Sequence, residues 1–434
     1  MSRRDRSVYV FIAGVVAIVV GMLGLAALQY FIPESSHYSG PIDVYAARHG
    51  ALWLFGHVPG SISVRAFTET FRVLVAIVWL GYAAAIVSAF RMQRPPANRV
   101  LLTAGLLAAA LAVLFPPSLT HDLYAYLAYG RMAALHGWNP YIHTLSEFAL
   151  FGDAAARQYS VDASSVYGPV WTLLCAALAT AVAALPLAAQ VVSFKLVAAA
   201  ALVCAALCAR VIARVWDPEH ADLALIAVAL NPLLLLEGPG SGHNDVLMMA
   251  LLLAGIALVV RRSWIGWPVI GLSVGIKFIT IAIVPWLIFR YVRTMPRRTA
   301  LLWAAAALGL VMAPILVAFV PFLGGGDVFR GIGTVWSAKA SGHPGASLGL
   351  LVCVGMYVAT SVWLLRGRED DRVAAAWTMW AMTAALLLTP ILLPWYLSWP
   401  TALTLTRWDR RQRWLTASCF VVGAWFAVRY TILR

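Results

Sequence analysis

The sequence predicts an all-α membrane protein, a polytopic bundle of transmembrane helices with external loops that carry short interfacial helices. Of its 434 residues, 62% are hydrophobic and 12% are charged, and the mean hydropathy is +0.83. Apolar runs recur along the whole chain, and many reach the ~20 residues that a helix needs to cross a hydrocarbon core. They show no alternation of period two, so they favour helices over the strands of a barrel.

About thirteen apolar segments qualify as spans, and they predict one transmembrane domain over residues 1–434. The N-terminal run is too long for a signal peptide, so we expect it to stay as the first span. Residues 264–290 are interrupted by Gly271, Gly275 and Lys277, and we expect a hairpin there. The spans are expected near 8–32, 70–90, 99–116, 168–185, 189–213, 221–237, 244–260, 264–290, 299–322, 347–366, 372–391, 395–406 and 413–432.

The net charge of +14 is explained by topology, because the basic residues lie in short loops between apolar runs. We therefore expect no nucleic-acid partner. The positive-inside rule leaves a large external loop at 117–167, a second one at 323–346, and the segment 33–69 outside. It also puts Arg210 and Arg214 in the cytoplasm, which simple counting does not, so one helix between 168 and 243 is expected to be re-entrant or split. The five cysteines lack CxxC spacing and are expected to be small core residues.

The segment 116–141 concentrates polar and aromatic residues between two apolar runs. After two prolines, Asp122, Tyr126 and Tyr129 recur at helical spacing and share one face of a predicted interfacial helix. Asp122 has two interpretations at this stage. It either complements the positive end of the helix dipole or acts as a catalytic carboxylate at the membrane face.

A second polar cluster lies where one apolar run ends and the next begins. Glu237, His243, Asn244 and Asp245 fall within nine residues of sequence. Ser241 or Asn244 would cap the following helix, and such a capping set needs no further function. Ionisable groups at a membrane boundary are nonetheless unfavourable unless they are paired or used. Both interpretations stay open.

Three cations outside these clusters also have both a structural and a functional interpretation. Lys277 lies in an apolar stretch, where a lysine must snorkel, pair or contact a ligand. Arg330 and Lys339 lie in the glycine-rich segment 324–347. That segment suits a phosphate, but an ordinary solvated loop has the same composition.

With these residues in view, the chain resembles the GT-C class of membrane glycosyltransferases. It is most similar to the polyprenol-phosphate-mannose-dependent α-1,6-mannosyltransferases of bacterial envelopes. The motifs that carry the resemblance follow one another from about residue 116 to 400: HDLYAYLAYGR with GWNPY, then YGP, GHNDVLMMALLLAG, GIKF and PWYLSW. The resemblance implies a GT-C-like bundle in the cytoplasmic (inner) membrane. It also implies transfer of a sugar, with mannose expected, from a polyprenyl-phosphate donor to an envelope glycan or glycolipid acceptor at the outer face.

The expected mechanism is a single displacement that inverts the anomeric carbon. Asp122 is expected to take the proton of the acceptor hydroxyl, with Asp245 as the second candidate. Cations should face the phosphate leaving group, and the candidates are Lys277, Arg330, Lys339 and Arg131. The expected substrate contacts are His121, Tyr126, Tyr129, Trp138, Asn139, Tyr141, His243, Asn244, Trp395 and Tyr396. No residue is predicted as a metal ligand; a divalent metal is compatible with the acidic and histidine residues, but no pattern requires one.

Two alternatives remain. A transporter or flippase for a lipid-linked or small polar solute would use the same charges as a pathway. The chain shows no obvious internal repeat of the kind common in transporters, and its large external loop is aromatic and acidic, which favours the enzyme. The second alternative keeps the fold and changes the donor sugar to glucose, galactofuranose or arabinofuranose.

Overall fold

The computed structural model describes residues 3–28, 62–92, 98–115, 122–158, 162–324 and 394–408, with scattered positions elsewhere. Every regular element in these ranges is a helix, as the sequence predicts. The spans expected near 347–366, 372–391 and 413–432 lie outside these ranges. In chain order the helices are α1 (Arg3–Leu28), α2 (Val64–Arg91), α3 (Asn98–Val113), α4 (Asp122–His136), α5 (Leu145–Leu150), α6 (Pro169–Ala181), α7 (Leu187–Trp216), α8 (Ala221–Ala229), α9 (Pro232–Leu235), α10 (Asp245–Val260), α11 (Gly266–Ile276), α12 (Val284–Val292), α13 (Arg297–Phe319) and α14 (Ser398–Thr404).

Four of these helices, α1, α2, α7 and α13, are long and apolar enough to cross a membrane. The bent segment from Pro218 to Gly240, which includes α8 and α9, makes a fifth if it is taken as one span. It bends by 42° at Asn231, whose side-chain oxygen accepts from the backbone N–H groups of Leu233 and Leu234 at 3.0 and 3.2 Å. Asn231 thus supplies a new helix start within an apolar run.

One end of the bundle is basic. The α7 terminus meets α12 there, because the guanidinium of Arg290 lies 5.8 Å from the ring of Trp216. The Tyr291 hydroxyl donates to the Val259 carbonyl at 2.6 Å, which brings the end of α10 to the same place. We call this the basic end. The arginines at the termini that meet there are Arg210, Arg214, Arg261, Arg262, Arg290, Arg293, Arg297 and Arg298.

Helix α6, in the span expected near 168–185, is shorter than a hydrocarbon core is thick. It has 13 residues, about 20 Å of helix, less than a hydrocarbon core of about 30 Å. Its start lies at the end opposite the basic end, where the Gly168 N–H donates to the Ile276 carbonyl at 2.9 Å. Helix α7 has 30 residues, about 45 Å, and ends at the basic end, so it starts near the same opposite end. If α6 is not counted as a span, the count between residues 168 and 243 agrees with a cytoplasmic position for Arg210 and Arg214.

The predicted hairpin at 264–290 is confirmed. Helix α11 ends where Lys277 adopts an extended conformation, a 3₁₀ turn covers Phe278–Ile283, and α12 returns to the basic end. The glycines of α11 serve close packing: a Cβ on Gly271 would lie 2.1 Å from the Val311 carbonyl oxygen. Such contacts between small residues are typical of membrane helices. They fix the height of Lys277 in the bundle.

Candidate active site

The two polar segments of the sequence meet at the end of the bundle opposite the basic end. Asp122 begins α4, and its carboxylate oxygen Oδ2 lies 3.7 Å from Nδ1 of His243. The Asp122 side chain is 16% exposed, whereas that of His243 is fully buried. Helix α4 is itself more buried than an interfacial helix would be, since the consecutive residues 123–130 all lie in the interior. Of Asp122 and His243, only Asp122 is accessible to solvent.

A distorted turn places His243 beside Glu237. Residues Leu236–Gly240 form one π-helical turn that contains a proline, and Gly242 follows with a φ of +77°. A Cβ on Gly242 would lie 2.1 Å from the Leu123 side chain, so glycine is needed there for both conformation and space. The backbone N–H of His243 then donates to the Glu237 carbonyl at 3.1 Å.

The predicted side-chain cap of α10 is wrong. Asn244 occupies the N-cap position but makes no capping bond, because its backbone is already helical and its side chain turns away. Its Oδ1 instead accepts from the Tyr126 hydroxyl at 3.4 Å. The Ser241 hydroxyl donates back to the Leu236 carbonyl at 2.9 Å. The cluster therefore does not act as a capping set, and its charged side chains instead pair with other polar groups.

The imidazole of His243 lies between two carboxylates. Its Nε2 is 3.4 Å from a carboxylate oxygen of Glu237, and its Nδ1 faces Asp122. The ring stacks on Trp395, with centroids 4.1 Å apart and planes 24° from parallel. Burial lowers the pKa of His243 well below its usual value, and the positive charge of Lys277 lowers it further. A neutral imidazole offers one donor and one acceptor nitrogen.

Asp245 and Lys277 form a second charged group next to the first. The Lys277 ammonium donates to both Asp245 oxygens, at 2.8 and 2.9 Å, and the Trp399 indole N–H donates to one of them. Asp245 is completely buried, while the Lys277 side chain is 17% exposed. The ammonium also lies 5.3 and 5.6 Å from the ring centres of Tyr396 and Trp399, within cation–π range. Lys277 therefore lies in an aromatic wall with Asp245 behind it.

Tyr126 connects the two groups. Its ring packs edge-on against Tyr167 and Trp171, with centroids 5.0 Å from each, and its hydroxyl reaches Asn244. Tyr126 is fully buried. Two aromatic contacts thus hold α4 against the start of α6, and one hydrogen bond connects it to the start of α10.

Asn139 and Tyr141 hold the segment 117–167 against its neighbours. The Asn139 amide donates to the carbonyls of Phe322 and Gly324 at 3.0 and 3.2 Å. The Tyr141 hydroxyl donates to the Tyr167 carbonyl at 3.0 Å, and burial raises the pKa of this hydroxyl. A neutral hydroxyl can keep this bond at any physiological pH. Their predicted substrate contacts stay predictions.

Tyr129, Arg131 and Trp138 also have protein partners. The Tyr129 hydroxyl donates to the Ala163 carbonyl at 3.0 Å, and the Arg131 guanidinium lies 3.0 Å from Asp153. Trp138 packs in an aromatic cluster with His143, Phe148 and Phe151. The phosphate role of Arg131 and the substrate roles of the other two are not tested by these contacts.

Two of the other predicted residues, His121 and Lys339, lie outside the described residues. Arg330 is described and exposed. It precedes Gly331, at which a Cβ would lie 2.7 Å from the carbonyl oxygens of Ser164 and Ser165. The segment 323–346 therefore touches the segment 117–167 at this point, and the phosphate role of Arg330 stays a prediction.

Sequence reasoning assigned no role to Glu237 and Trp399. Glu237 was visible as part of the second polar cluster, and Trp399 follows Trp395 at the helical spacing of four residues. What the sequence could not supply is the partner of each. Within the described ranges, no group of three or more His, Cys, Asp or Glu side chains is arranged to hold a metal ion.

Helices long enough to cross a membrane, with charged groups buried together at one end of their bundle, agree with the expected GT-C class of membrane glycosyltransferases. Residues 10–293 match the family model described as "Alpha-(1->6)-mannopyranosyltransferase, N-terminal domain", and the chain belongs to that family. Alpha-(1->6)-mannopyranosyltransferase A of Mycobacterium tuberculosis is 26% identical over 438 aligned residues, which cover 90% of this chain and 78% of that protein. No solved structure matches the chain. The resemblance stated from the motifs is confirmed.

Proposed function

We propose that this protein transfers mannose from a polyprenyl-phosphate donor to a glycan or glycolipid acceptor and forms an α-1,6 linkage at the outer face of the cytoplasmic membrane. Membership of the mannopyranosyltransferase family supports the sugar and the linkage. The observation that carries the chemistry is the pair of neighbouring groups, an accessible carboxylate at Asp122 and an ammonium at Lys277. One suits the acceptor and the other suits the leaving phosphate.

Asp122 is the proposed base. The acceptor hydroxyl must lose its proton as its oxygen attacks the anomeric carbon, and a carboxylate within reach accepts it. Asp122 is partly exposed, so a substrate can approach it. Asp245 is completely buried and both of its oxygens are bonded to Lys277. This favours an orienting role for Asp245 over the predicted role as a second base.

Lys277 is the proposed phosphate ligand. An ammonium has three hydrogens, and its bonds to Asp245 use two of them. The third is available to a phosphate oxygen whose negative charge grows as the glycosidic bond breaks. Tyr396 beside Lys277 and Trp395 beside His243 offer ring faces against which a sugar can stack. Attack from the side opposite the phosphate inverts the anomeric carbon and turns a β-linked donor into an α-linked product.

The charge distribution supports a site at the outer face of the cytoplasmic membrane. The arginines of the basic end lie opposite Asp122 and Lys277, and arginine-rich loops face the cytoplasm in membrane proteins. A polyprenyl tail can then lie between the spans while its phosphate reaches Lys277. The Asp122 end of the bundle is accordingly proposed to face away from the cytoplasm.

The test is a transfer assay with purified protein in lipid nanodiscs. Polyprenyl-phosphate mannose, glucose and arabinofuranose are offered with an α-mannoside acceptor, and the product linkage is determined. We expect an α-1,6-linked mannoside from the mannose donor. Asp122→Asn should abolish turnover and keep donor binding, while Asp222→Asn, at an exposed acid paired with Arg210 near the basic end, should stay active. Movement of a lipid-linked solute across proteoliposomes without glycosidic bond formation would support the transporter instead.

A further inference from the structure

We propose that His243 and Glu237 form a proton relay behind Asp122, so that the proton taken from the acceptor moves inward. The proposal rests on the proposed function, because it needs Asp122 to be the base. It adds two residues to the reaction, one that receives the proton and one that stabilises the protonated imidazole.

The imidazole of His243 lies between the carboxylates of Asp122 and Glu237. Asp122 lies 3.7 Å from one ring nitrogen of His243, and Glu237 lies 3.4 Å from the other. Among the described residues, neither ring nitrogen has a hydrogen-bond partner, although both are buried. A buried imidazole whose two nitrogens face carboxylates without a formed bond is unfavourable unless it is used. To reach the hydrogen-bond limit of about 3.2 Å, the two distances must shorten by about 0.5 and 0.2 Å, and catalytic contacts are often long in the absence of substrate.

Two features hold the ring in this orientation. Stacking on Trp395 fixes its plane, and the backbone bond from His243 to Glu237 fixes its position along the turn. The ring can therefore keep Nε2 toward Glu237 and the lone pair of Nδ1 toward Asp122. A carboxylate that accepts a hydrogen bond from one nitrogen of an imidazole selects the tautomer of the ring and stabilises its protonated form.

The proton transfer balances as follows. The acceptor O–H bond breaks, its proton goes to Asp122, and its oxygen forms the new bond to the anomeric carbon. The bond from that carbon to the phosphate oxygen breaks, and its electron pair leaves with the phosphate. The proton on Asp122 then passes to Nδ1 of His243, and the resulting imidazolium is stabilised by the Glu237 carboxylate. The proton returns through Asp122 to water when the products leave.

The relay compensates for the weak basicity of Asp122. Asp122 begins a helix, and the positive end of the dipole stabilises the carboxylate and weakens it as a base. The charged groups around the ring are Asp122 from α4, Glu237 from the π-helical turn, Lys277 from the end of α11, and Asp245 beside Lys277. The two carboxylates next to the ring favour its protonation, whereas burial and the positive charge of Lys277 oppose it.

The experiment uses the full-length protein and measures single-turnover rate constants against pH. His243→Gln should lower the rate about a hundredfold, the lower range for general acid–base groups. Glu237→Gln keeps an acceptor oxygen and loses the charge, so we expect about a tenfold loss. Glu237→Gln should move the acidic limb of the profile to lower pH by about one unit, because removing a nearby carboxylate makes imidazole protonation harder. His243→Gln should remove the limb that belongs to the imidazole. Donor Kd should stay within about twofold of wild type.

The matched control is Glu69→Gln, the same substitution at an exposed residue of α2 that pairs with Arg72; it should leave rate and profile unchanged. Wild-type rate and acidic limb in both relay variants would overturn the relay while mannosyl transfer stands. If either variant fails to fold, the wild-type proton inventory in H₂O–D₂O mixtures decides: a curved plot supports two proton transfers, and a linear plot overturns the relay. Failure of the proposed function would show separately, as absence of mannosyl transfer by the wild type.

Discussion

Lys277 and Asp245 allow stability and donor binding to be separated. In Lys277→Met, the completely buried Asp245 carboxylate loses its ammonium partner and keeps the hydrogen bond from the Trp399 indole. Removing one partner of a buried ion pair destabilises a protein by about 3–5 kcal/mol. Because Lys277 is 17% exposed, we expect about 3 kcal/mol. Adding Asp245→Asn removes the unpaired charge and should restore most of that stability.

Donor binding should respond differently. A hydrogen bond to a charged group contributes about 1.5–3 kcal/mol, so loss of the ammonium should raise the donor Kd by about ten- to a hundredfold. The double variant still lacks the cation and should bind the donor as weakly as the single variant. Acceptor binding should change little in either.

The assays are chemical unfolding in detergent micelles and titration with a non-hydrolysable polyprenyl-phosphonate analogue. Lys277→Arg, which keeps the charge, is the matched control and should retain part of the donor affinity. Recovery of both stability and donor affinity in the double variant would refute the phosphate role and leave Lys277 as a counter-ion only. Unchanged stability in Lys277→Met would refute the structural contribution of the ion pair.

Three further variants test other contacts of the site. Trp399→Phe keeps the ring beside Lys277 and removes the N–H bond to Asp245, so kcat/KM for the donor should fall about tenfold, which corresponds to about 1.4 kcal/mol. Gly242→Ala meets both a φ of +77° and the Leu123 side chain, and should lower stability by about 1–3 kcal/mol with loss of transfer activity. Asn139→Ala frees the second external loop from the first and should increase proteolytic cleavage near residue 324 without loss of fold.

Each of these has its own control and contrary outcome. Trp267→Phe makes the same substitution at a buried tryptophan near the basic end, and an equal effect on donor kcat/KM would assign the Trp399 result to packing. Normal stability and transfer in Gly242→Ala would mean that the turn adapts without glycine. Unchanged cleavage in Asn139→Ala would mean that other contacts hold the second loop.

Much of the bundle was predictable because apolar helices have a local signal. Lys277 marked the bend of the 264–290 hairpin, since its charge interrupts an apolar run. The extent of α6 was not predictable from hydropathy, because a short helix buried against α4 has the same composition as a helix in lipid. A Cβ on Gly130 of α4 would lie 2.3 Å from the Cys175 carbonyl oxygen of α6, and such a contact between distant residues has no local pattern.

The site was predictable in its parts and not in its pairings. Asp122, His243 and Asp245 were singled out by charge at helix starts and by resemblance to a family. The contact between Asp122 and His243 joins residues more than a hundred positions apart, and only packing decides it. The same is true of the indole bond from Trp399 to Asp245, because a tryptophan near a membrane interface has the same local context whether it faces lipid or a carboxylate.

The hydrogen bond between Gly168 and Ile276 has a consequence for how a long acceptor is held. It fixes the last residues of the large external loop one peptide unit away from Lys277, with no compressible side chain between the two backbones. Under the proposed function, an acceptor bound against that loop would be kept at a constant distance from the departing phosphate. The contact would then act as a fixed spacer that helps the enzyme attach each sugar at one hydroxyl among several.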